Sequence, residues 1–440
     1  MPASTVARSA GLLALAGAAA LAHRRVLRIE QHDCWPPEAD AVASDDALAA
    51  TEAFVARTGA RARDAPLEFA WSTAATIEPW IDGASFFPRI LADVEAARSS
   101  VHILMFGWRE GEIGTRMAAL LERKLQEGVE VRVIVDGLGS RPYGAARPMF
   151  TRLAAAGARI VVNDVLPPDR DGLFPDGQHV DWLHDELGRS DHRKLYVIDG
   201  RVGWTGGAGL EDHFHDGRFH DVMVRVTGDV VRQLQAAFVV SFHGYGGVPA
   251  ADLSGCFPVP DDRGATPIVL AQCLPGGFVA AARAIAEQIA GARERLDVMN
   301  PYVTDRDMLE RILAAAGNGV KVRLVVSEHS NNGAATAALK HHYADLQAAG
   351  VEVWELPGTI VHAKVVVADD TVSFGTVNLD AWALYRNSEL MLLARSAELA
   401  RHFQEQLFGR DIARAKRGMP PTGAAAQLKS RLWSGLAYYL

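Results

Sequence analysis

Two short stretches of this 440-residue chain carry the same reactive side chains in the same order. One reads His192-Arg193-Lys194-Leu195-Tyr196-Val197-Ile198-Asp199 and the other His362-Ala363-Lys364-Val365-Val366-Val367-Ala368-Asp369. Each is His-x-Lys, four strand-forming residues, then Asp. Alternate residues of a strand share a face, so His192 and Lys194 aim at one point, as do His362 and Lys364. An imidazole near neutral pH serves as nucleophile or proton carrier, and a lysine supplies a compact positive charge. Together they suit a phosphodiester. Small-residue turns follow, Gly206-Gly207-Ala208-Gly209 and Gly375-Thr376-Val377-Asn378, of the kind that lets backbone amides approach a phosphate. A single match of this kind usually just ends an exposed strand; two matches in equivalent settings point to a catalytic signature.

The elements that must position these residues are also repeated. In the first half, Ser99-Ser100-Val101-His102-Ile103-Leu104-Met105-Phe106 precedes a helical pattern at 114–126 and a strand, Val129-Glu130-Val131-Arg132-Val133-Ile134-Val135. In the second, Arg295-Leu296-Asp297-Val298-Met299-Asn300 precedes a helical pattern at 307–316 and Val320-Lys321-Val322-Arg323-Leu324-Val325-Val326. Third strands, Arg159-Ile160-Val161-Val162 and Val351-Glu352-Val353-Trp354, then lead to the His-x-Lys strands. Strands alternating with helices over short links predict an α/β fold, each half a mainly parallel sheet flanked by helices. The first half is longer. Its extra residues fall within 163–186, a loop expected either to shape substrate entry or to be a plain surface insertion.

The paired motifs resemble the phospholipase D superfamily. Phe219-His220-Asp221, Val224-Arg225-Val226-Thr227-Gly228, Asn378-Leu379-Asp380 and Asn387-Ser388-Glu389 are most similar to its bacterial cardiolipin synthase branch. The likeness spans roughly residues 85–410. It implies two halves packed about a pseudo-twofold axis, with both His-x-Lys pairs in one site and neither metal nor other cofactor. It further implies that one imidazole forms a phosphohistidine while the other protonates the departing alcohol. By the order of the motifs the nucleophile is His192. Lys194 and Lys364, with the turn amides of Gly206, Gly207 and Gly375 and the side chains of Thr376 and Asn378, would hold the phosphate oxygens. Asp221 and Glu389 would orient the histidines, and Asp199 and Asp369 would fasten the turns to the scaffold. One position departs from the family pattern: Gly209 stands where Asn is common, so the first half lacks a side-chain amide that the second retains at Asn378.

Composition narrows the function. Hydrophobic residues make up 49% of the chain, enough for sizeable cores, and the net charge of −8 argues against a non-specific nucleic-acid binder. The three cysteines, Cys34, Cys256 and Cys273, lack metal spacing, so no disulfide framework is expected, although a single Cys256–Cys273 bridge stays open for an exported protein. His213, His215 and His220 lie near Asp212 and Asp216; a loop of solvated polar residues is expected there rather than a metal site. Trp204 is expected beneath the Gly206 turn, and His341-His342 on the surface.

The chain divides into 1–35, a signal or anchor segment; 36–84, a linker or extension; 85–250 and 265–410, the two halves; and 411–440, a tail. The apolar run at 11–22, with Arg8 before it and His23-Arg24-Arg25 after it, fits either a signal peptide or an anchor at a bacterial-type cell envelope. The tail mixes Lys429 and Arg431 with Trp433, Tyr438 and Tyr439, and reads equally as an interfacial helix or as one docked on the core. The expected partners are a phospholipid substrate and a membrane surface, with no nucleic acid; oligomeric state is left open. Phosphatidyl transfer is the leading activity. The alternatives are a hydrolytic phospholipase D, a nuclease of the same superfamily and an inactive lipid-binding module.

Overall fold

The computed structural model describes residues 41–57, 67–142, 144–163, 190–275 and 277–437. The apolar run at 11–22, Cys34 and nearly all of the 163–186 insertion lie outside them.

The first half follows helix α1 (Ala47–Arg57) and strands β1 (Ser72–Ala74) and β2 (Thr76–Ile81). It comprises α2 (Gly83–Ala96), β3 (Ser100–Met105), α3 (Glu112–Gln126), β4 (Glu130–Asp136), α4 (Arg147–Ala155), β5 (Arg159–Asn163), β6 (Lys194–Ile198), β7 (Val202–Gly206), β8 (Phe219–His220), β9 (Val222–Thr227) and α5 (Val230–Gly244). The second half comprises β10 (Thr266–Leu274), β11 (Phe278–Val279), α6 (Ala280–Gly291), β12 (Arg295–Met299), α7 (Arg306–Gly317), β13 (Lys321–Ser327), α8 (Gly333–His341), β14 (Glu352–Leu356), β15 (Ile360–Val361), β16 (Val365–Ala368), β17 (Thr371–Gly375), β18 (Glu389–Arg395) and α9 (Ala397–Phe403). The tail adds β19 (Lys416–Arg417) and α10 (Ala424–Gly435).

Each half is built on one sheet, in the order β2-β9-β7-β6-β3-β4-β5 and β1-β10-β18-β17-β16-β12-β13-β14-β19. The expected α/β halves are present, but the sheets are mixed rather than mainly parallel. Parallel pairing is confined to β3-β4-β5 and β12-β13-β14, where helices make the crossovers. The His-x-Lys strands β6 and β16 run antiparallel to both neighbours, because each returns directly as a hairpin into β7 or β17. Lys194 therefore pairs with Met105 and Val365 with Met299, so both motifs lie at the carboxyl ends of the parallel strands.

The stretch 36–84, expected as a linker, is structured where it is described. β1 joins the second sheet through β10 while β2, one residue later, joins the first through β9. Helix α1 packs on α5, and α5 is buried around nearly its whole circumference, as an all-round apolar helix between two sheets must be. One apolar core runs from Leu234 and Phe238 of α5 to Val269 of β10 and Leu392 of β18. The Ala- and Asp-rich composition of 36–84 concealed these contacts, since Ala47 and Phe54 suffice to seat α1. Cys256 and Cys273 are free and buried, so the bridge left open by the sequence is not formed.

Candidate active site

His192 immediately precedes β6, and its amide donates to Ser388 O (2.9 Å) across the boundary between the halves. His362 is held in the corresponding way, its amide donating to His220 O (2.7 Å). These bridges seat each motif beside the acid that follows the other half's turn. Glu389, next to Ser388, reaches His192 Nδ1 at 2.9 Å, and Asp221, next to His220, reaches His362 Nδ1 at 2.7 Å. The pairing is thus crossed, each half orienting its partner's histidine.

Two more residues set the approach to each motif. Asp136 ends β4, and its Oδ2 accepts from the amide of Asp191 (2.8 Å), while Ser327 ends β13 and its Oγ accepts from the amide of Val361 (2.8 Å). Asp191 and Val361 are the residues just before the two histidines. Arg193, the middle residue of the first motif, lies just before β6. There it is buried against Asp191 (2.6 Å) and Gln272 (3.0 Å), and Tyr245 donates to the same aspartate. Aromatic rings wall the histidines: Phe106 lies edge-on to His192 with centroids 4.7 Å apart, and Phe214 and Phe219 lie 5.2 and 5.5 Å from His362.

Lys194 and Lys364 fold back onto the carbonyls of His192 and His362, at 2.5 Å in each case. Lys364 Nζ also lies 2.8 Å from His362 Nδ1 and 3.1 Å from Nε2. Burial disfavours charge throughout this pocket. It lowers Lys194 to about 8 and Lys364 to about 7, against the carboxylates that would raise them. Burial, reinforced by both lysines, pushes the two histidines well below their ordinary value. Burial also raises Glu389 to about 8 and raises Asp221, opposed by the same lysines. Burial thus outweighs the carboxyls, and neither histidine is favoured in its charged form by the acid beside it.

The turn residues serve this arrangement by steric means. A Cβ on Gly207 would lie 2.4 Å from the Asp221 carboxylate, so glycine makes room for the acid that serves His362. Thr376 occupies the matching position and donates its hydroxyl to Glu389 Oε2. A Cβ on Gly206 or Gly375 would strike the carbonyl of Val222 or Leu390 on the adjoining strand. Asn378 is buried, and its Oδ1 has no hydrogen-bond partner among the described residues. At Gly209 a Cβ would meet Gly107 O at 2.7 Å and the Glu211 carboxylate at 3.0 Å, so Glu211 fills the space beside the missing Asn. Asp199 and Asp369 lie away from the histidines, both at φ near +50°, and accept backbone amides from residues 98–100 and 293–295.

His220 is not part of a solvated loop. It is buried between Asp82 (2.7 Å) and Asp411 (2.8 Å), which raise it to about 9 against its burial. His213 and His215 belong to a helical turn, Asp212–His215, and do not converge with it on a common ligand point. The group with metal-ligand proximity among the described residues is His102, Glu130 and Cys256, beneath α5, where Arg132 already pairs with Glu130. Trp204 is buried and donates to Asp93 (2.7 Å); His341 is exposed, whereas His342 is partly covered. Sequence reasoning missed Asp136, Asp191, Phe106 and Glu211. Asp136 alone carried a signal, an acid closing a buried strand.

The family model described as "Cardiolipin synthase, PLD-like domain" matches residues 90–240 and 285–411, more than half of the chain. The chain belongs to this family. The cardiolipin synthase of Listeria monocytogenes (serotype 4b, strain CLIP80459) is 26% identical over 81% of this chain and 72% of its own length. Cardiolipin synthase 1 of Staphylococcus epidermidis (strain ATCC 35984) is 25% identical over 77% of this chain and 68% of its own. The solved phosphatidylserine synthase of Haemophilus influenzae Rd KW20 shares the fold, with a TM-score of 0.61 at 15% identity over 83% of this chain and 94% of that one. The two segments matched within this cardiolipin synthase, PLD-like family fall on the two halves of the fold. No helix among its described residues is long and apolar enough to cross a membrane.

Proposed function

We propose that this enzyme transfers phosphatidyl groups between alcohols, as a cardiolipin synthase does, through a phosphohistidine. The observation that carries the reading is the crossed pairing of two His-x-Lys motifs with Glu389 and Asp221 in one buried pocket. With Nδ1 held by Glu389, His192 presents Nε2 to phosphorus. Its lone pair forms the P–N bond while the P–O bond to the departing alcohol breaks and His362 gives that oxygen a proton. The acceptor alcohol then attacks phosphorus, its proton passes to His362, and the P–N bond breaks. Lys194, Lys364 and the amide of Asn378 stabilise the charge gathering on the non-bridging oxygens. The nucleophile is assigned to His192 by analogy with the first motif of the family. The buried, aromatic-walled pocket supports transfer over hydrolysis, because water must compete there with a bound acceptor. Donor and acceptor are a phospholipid and a lipid-borne or free alcohol, met at a membrane surface.

Purified protein incubated with phosphatidylglycerol, with and without added short-chain alcohols, tests this directly. New phosphatidyl esters that grow with alcohol concentration, formed by ping-pong kinetics and unaffected by EDTA, are expected. Phosphatidic acid as the product at every alcohol concentration would make the enzyme a hydrolase, and sequential kinetics with no histidine adduct would remove the covalent intermediate.

A further inference from the structure

Helix α10 packs the wrong way round for a helix whose purpose is to complete the core. It runs along α8, yet Ser430, 2% exposed, is the only residue of the helix that is buried. His342 Nε2 meets Ser434 Oγ at 2.9 Å on the same side. Both leucines of the helix face outward, Leu428 70% exposed and Leu432, one turn later, 48%, while Trp433 is half-buried. A helix buries its polar face and displays leucines only if something apolar covers them. Met419, 67% exposed, precedes the helix.

Charge identifies what covers this face. From residue 412 onward the chain has no Asp or Glu but has Arg414, Lys416, Arg417, Lys429 and Arg431, in a protein whose net charge is −8. The first three pair with Asp411, Glu328 and Glu352. Lys429 and Arg431 flank the exposed leucines, are themselves exposed, and have no carboxylate partner among the described residues. Leucines one turn apart between unpaired cations are the pattern of a helix lying in the headgroup layer of an anionic bilayer.

We propose that the outward face of α10, with Leu428, Leu432, Lys429 and Arg431, is the surface that docks this enzyme on an anionic lipid bilayer. The proposal rests on the phosphatidyl-transfer reading for its purpose but is tested apart from it. The full-length protein is mixed with vesicles of phosphatidylcholine alone or with about one-third phosphatidylglycerol, and hydrogen exchange is followed by mass spectrometry across 424–437. Protection on the anionic vesicles only is expected, lost at high salt. The readout is local, so a second anchor elsewhere in the chain cannot hide the result.

Leu428→Ser with Leu432→Ser, and separately Lys429→Glu with Arg431→Glu, should weaken protection at least about tenfold in lipid concentration. Both should leave turnover of a short-chain, monomeric phosphatidylglycerol unchanged. Absence of protection in the wild type, or equal protection in the variants, overturns the proposal. So does protection that depends on protein concentration without lipid, which would mark a contact between copies. Failure to turn over the soluble lipid while protection persists would instead strike the proposed activity.

Discussion

The proposed mechanism gives the two histidines, equivalently paired in the structure, separable roles. Replacement of either by Ala should lower turnover of natural lipid by at least about 10³-fold, because nucleophile and proton donor act as a unit. A phosphatidyl ester of p-nitrophenol distinguishes them, since that leaving group departs without a proton. His362→Ala should recover on it and accumulate an acid-labile adduct on His192, whereas His192→Ala should not recover; recovery of His192→Ala instead would reverse the assignment. Glu389→Gln and Asp221→Asn should each cost on the order of 10²-fold or more by leaving an imidazole misoriented. The lysines set the alkaline limb. They act when charged, and burial holds Lys364 at about 7 and Lys194 at about 8. Hence kcat/KM, which reports the free enzyme, should fall as pH rises through 7 to 8, and a profile flat to pH 9.5 would contradict this.

Among the elements, the β8 strand and the hairpin turns carry the most consequence. His220 joins Asp82, before α2, to Asp411, after the second half, while its carbonyl accepts the amide of His362. Its folded-state pKa, about 9, lies above the ordinary value of 6.5, so its stabilisation is complete below 6.5 and is lost as pH rises through about 9. Thermal unfolding of the wild type should show this loss, on the order of 3 kcal/mol, and His220→Asn should have a lower Tm with a flatter dependence between pH 7 and 10. The turn at Gly209 gives a less intuitive expectation. Restoring the family's Asn should destabilise the protein rather than improve it, because its Cβ would press on Gly107 O and on the Glu211 carboxylate. A rise in both Tm and turnover for Gly209→Asn would show that Glu211 yields easily.

The whole molecule is catalytically indivisible. Residues 85–250 and 265–440 produced as separate chains should be inactive singly, since each contains a histidine whose orienting acid lies in the other. The described residues before 85 are equally committed: Gln233 of α5 donates to Ser44 Oγ and Ala70 O, and β1 and β2 tie the two sheets together. Deleting residues up to 81 should therefore lower Tm sharply or prevent soluble folding, measured by circular dichroism, whereas a true linker would be removed without effect.

Much of this protein was legible in one dimension. Residue type and spacing placed His192 with Lys194 and His362 with Lys364, although the structure begins the strands later, at Lys194 and Val365, so the strand period expected for the motifs does not hold through them. The repeat likewise exposed two α/β halves, since helix and strand patterns are written in neighbouring residues. Asp199 and Asp369 were read as scaffold, and they do fasten their hairpins, by accepting the amides of Ser99 and Glu294 at the approach to β3 and β12, a long-range contact that the sequence did not specify. The crossing of Glu389 to His192 and Asp221 to His362 was decided only when the halves docked, for nothing local to either motif distinguishes its own acid from its partner's. The ionised His220, the structured 36–84 region and the outward leucines of α10 share that origin. Each depends on which surfaces are dry and which carboxylates come near, and burial at a distant contact is a property of the folded chain that no short window of sequence contains.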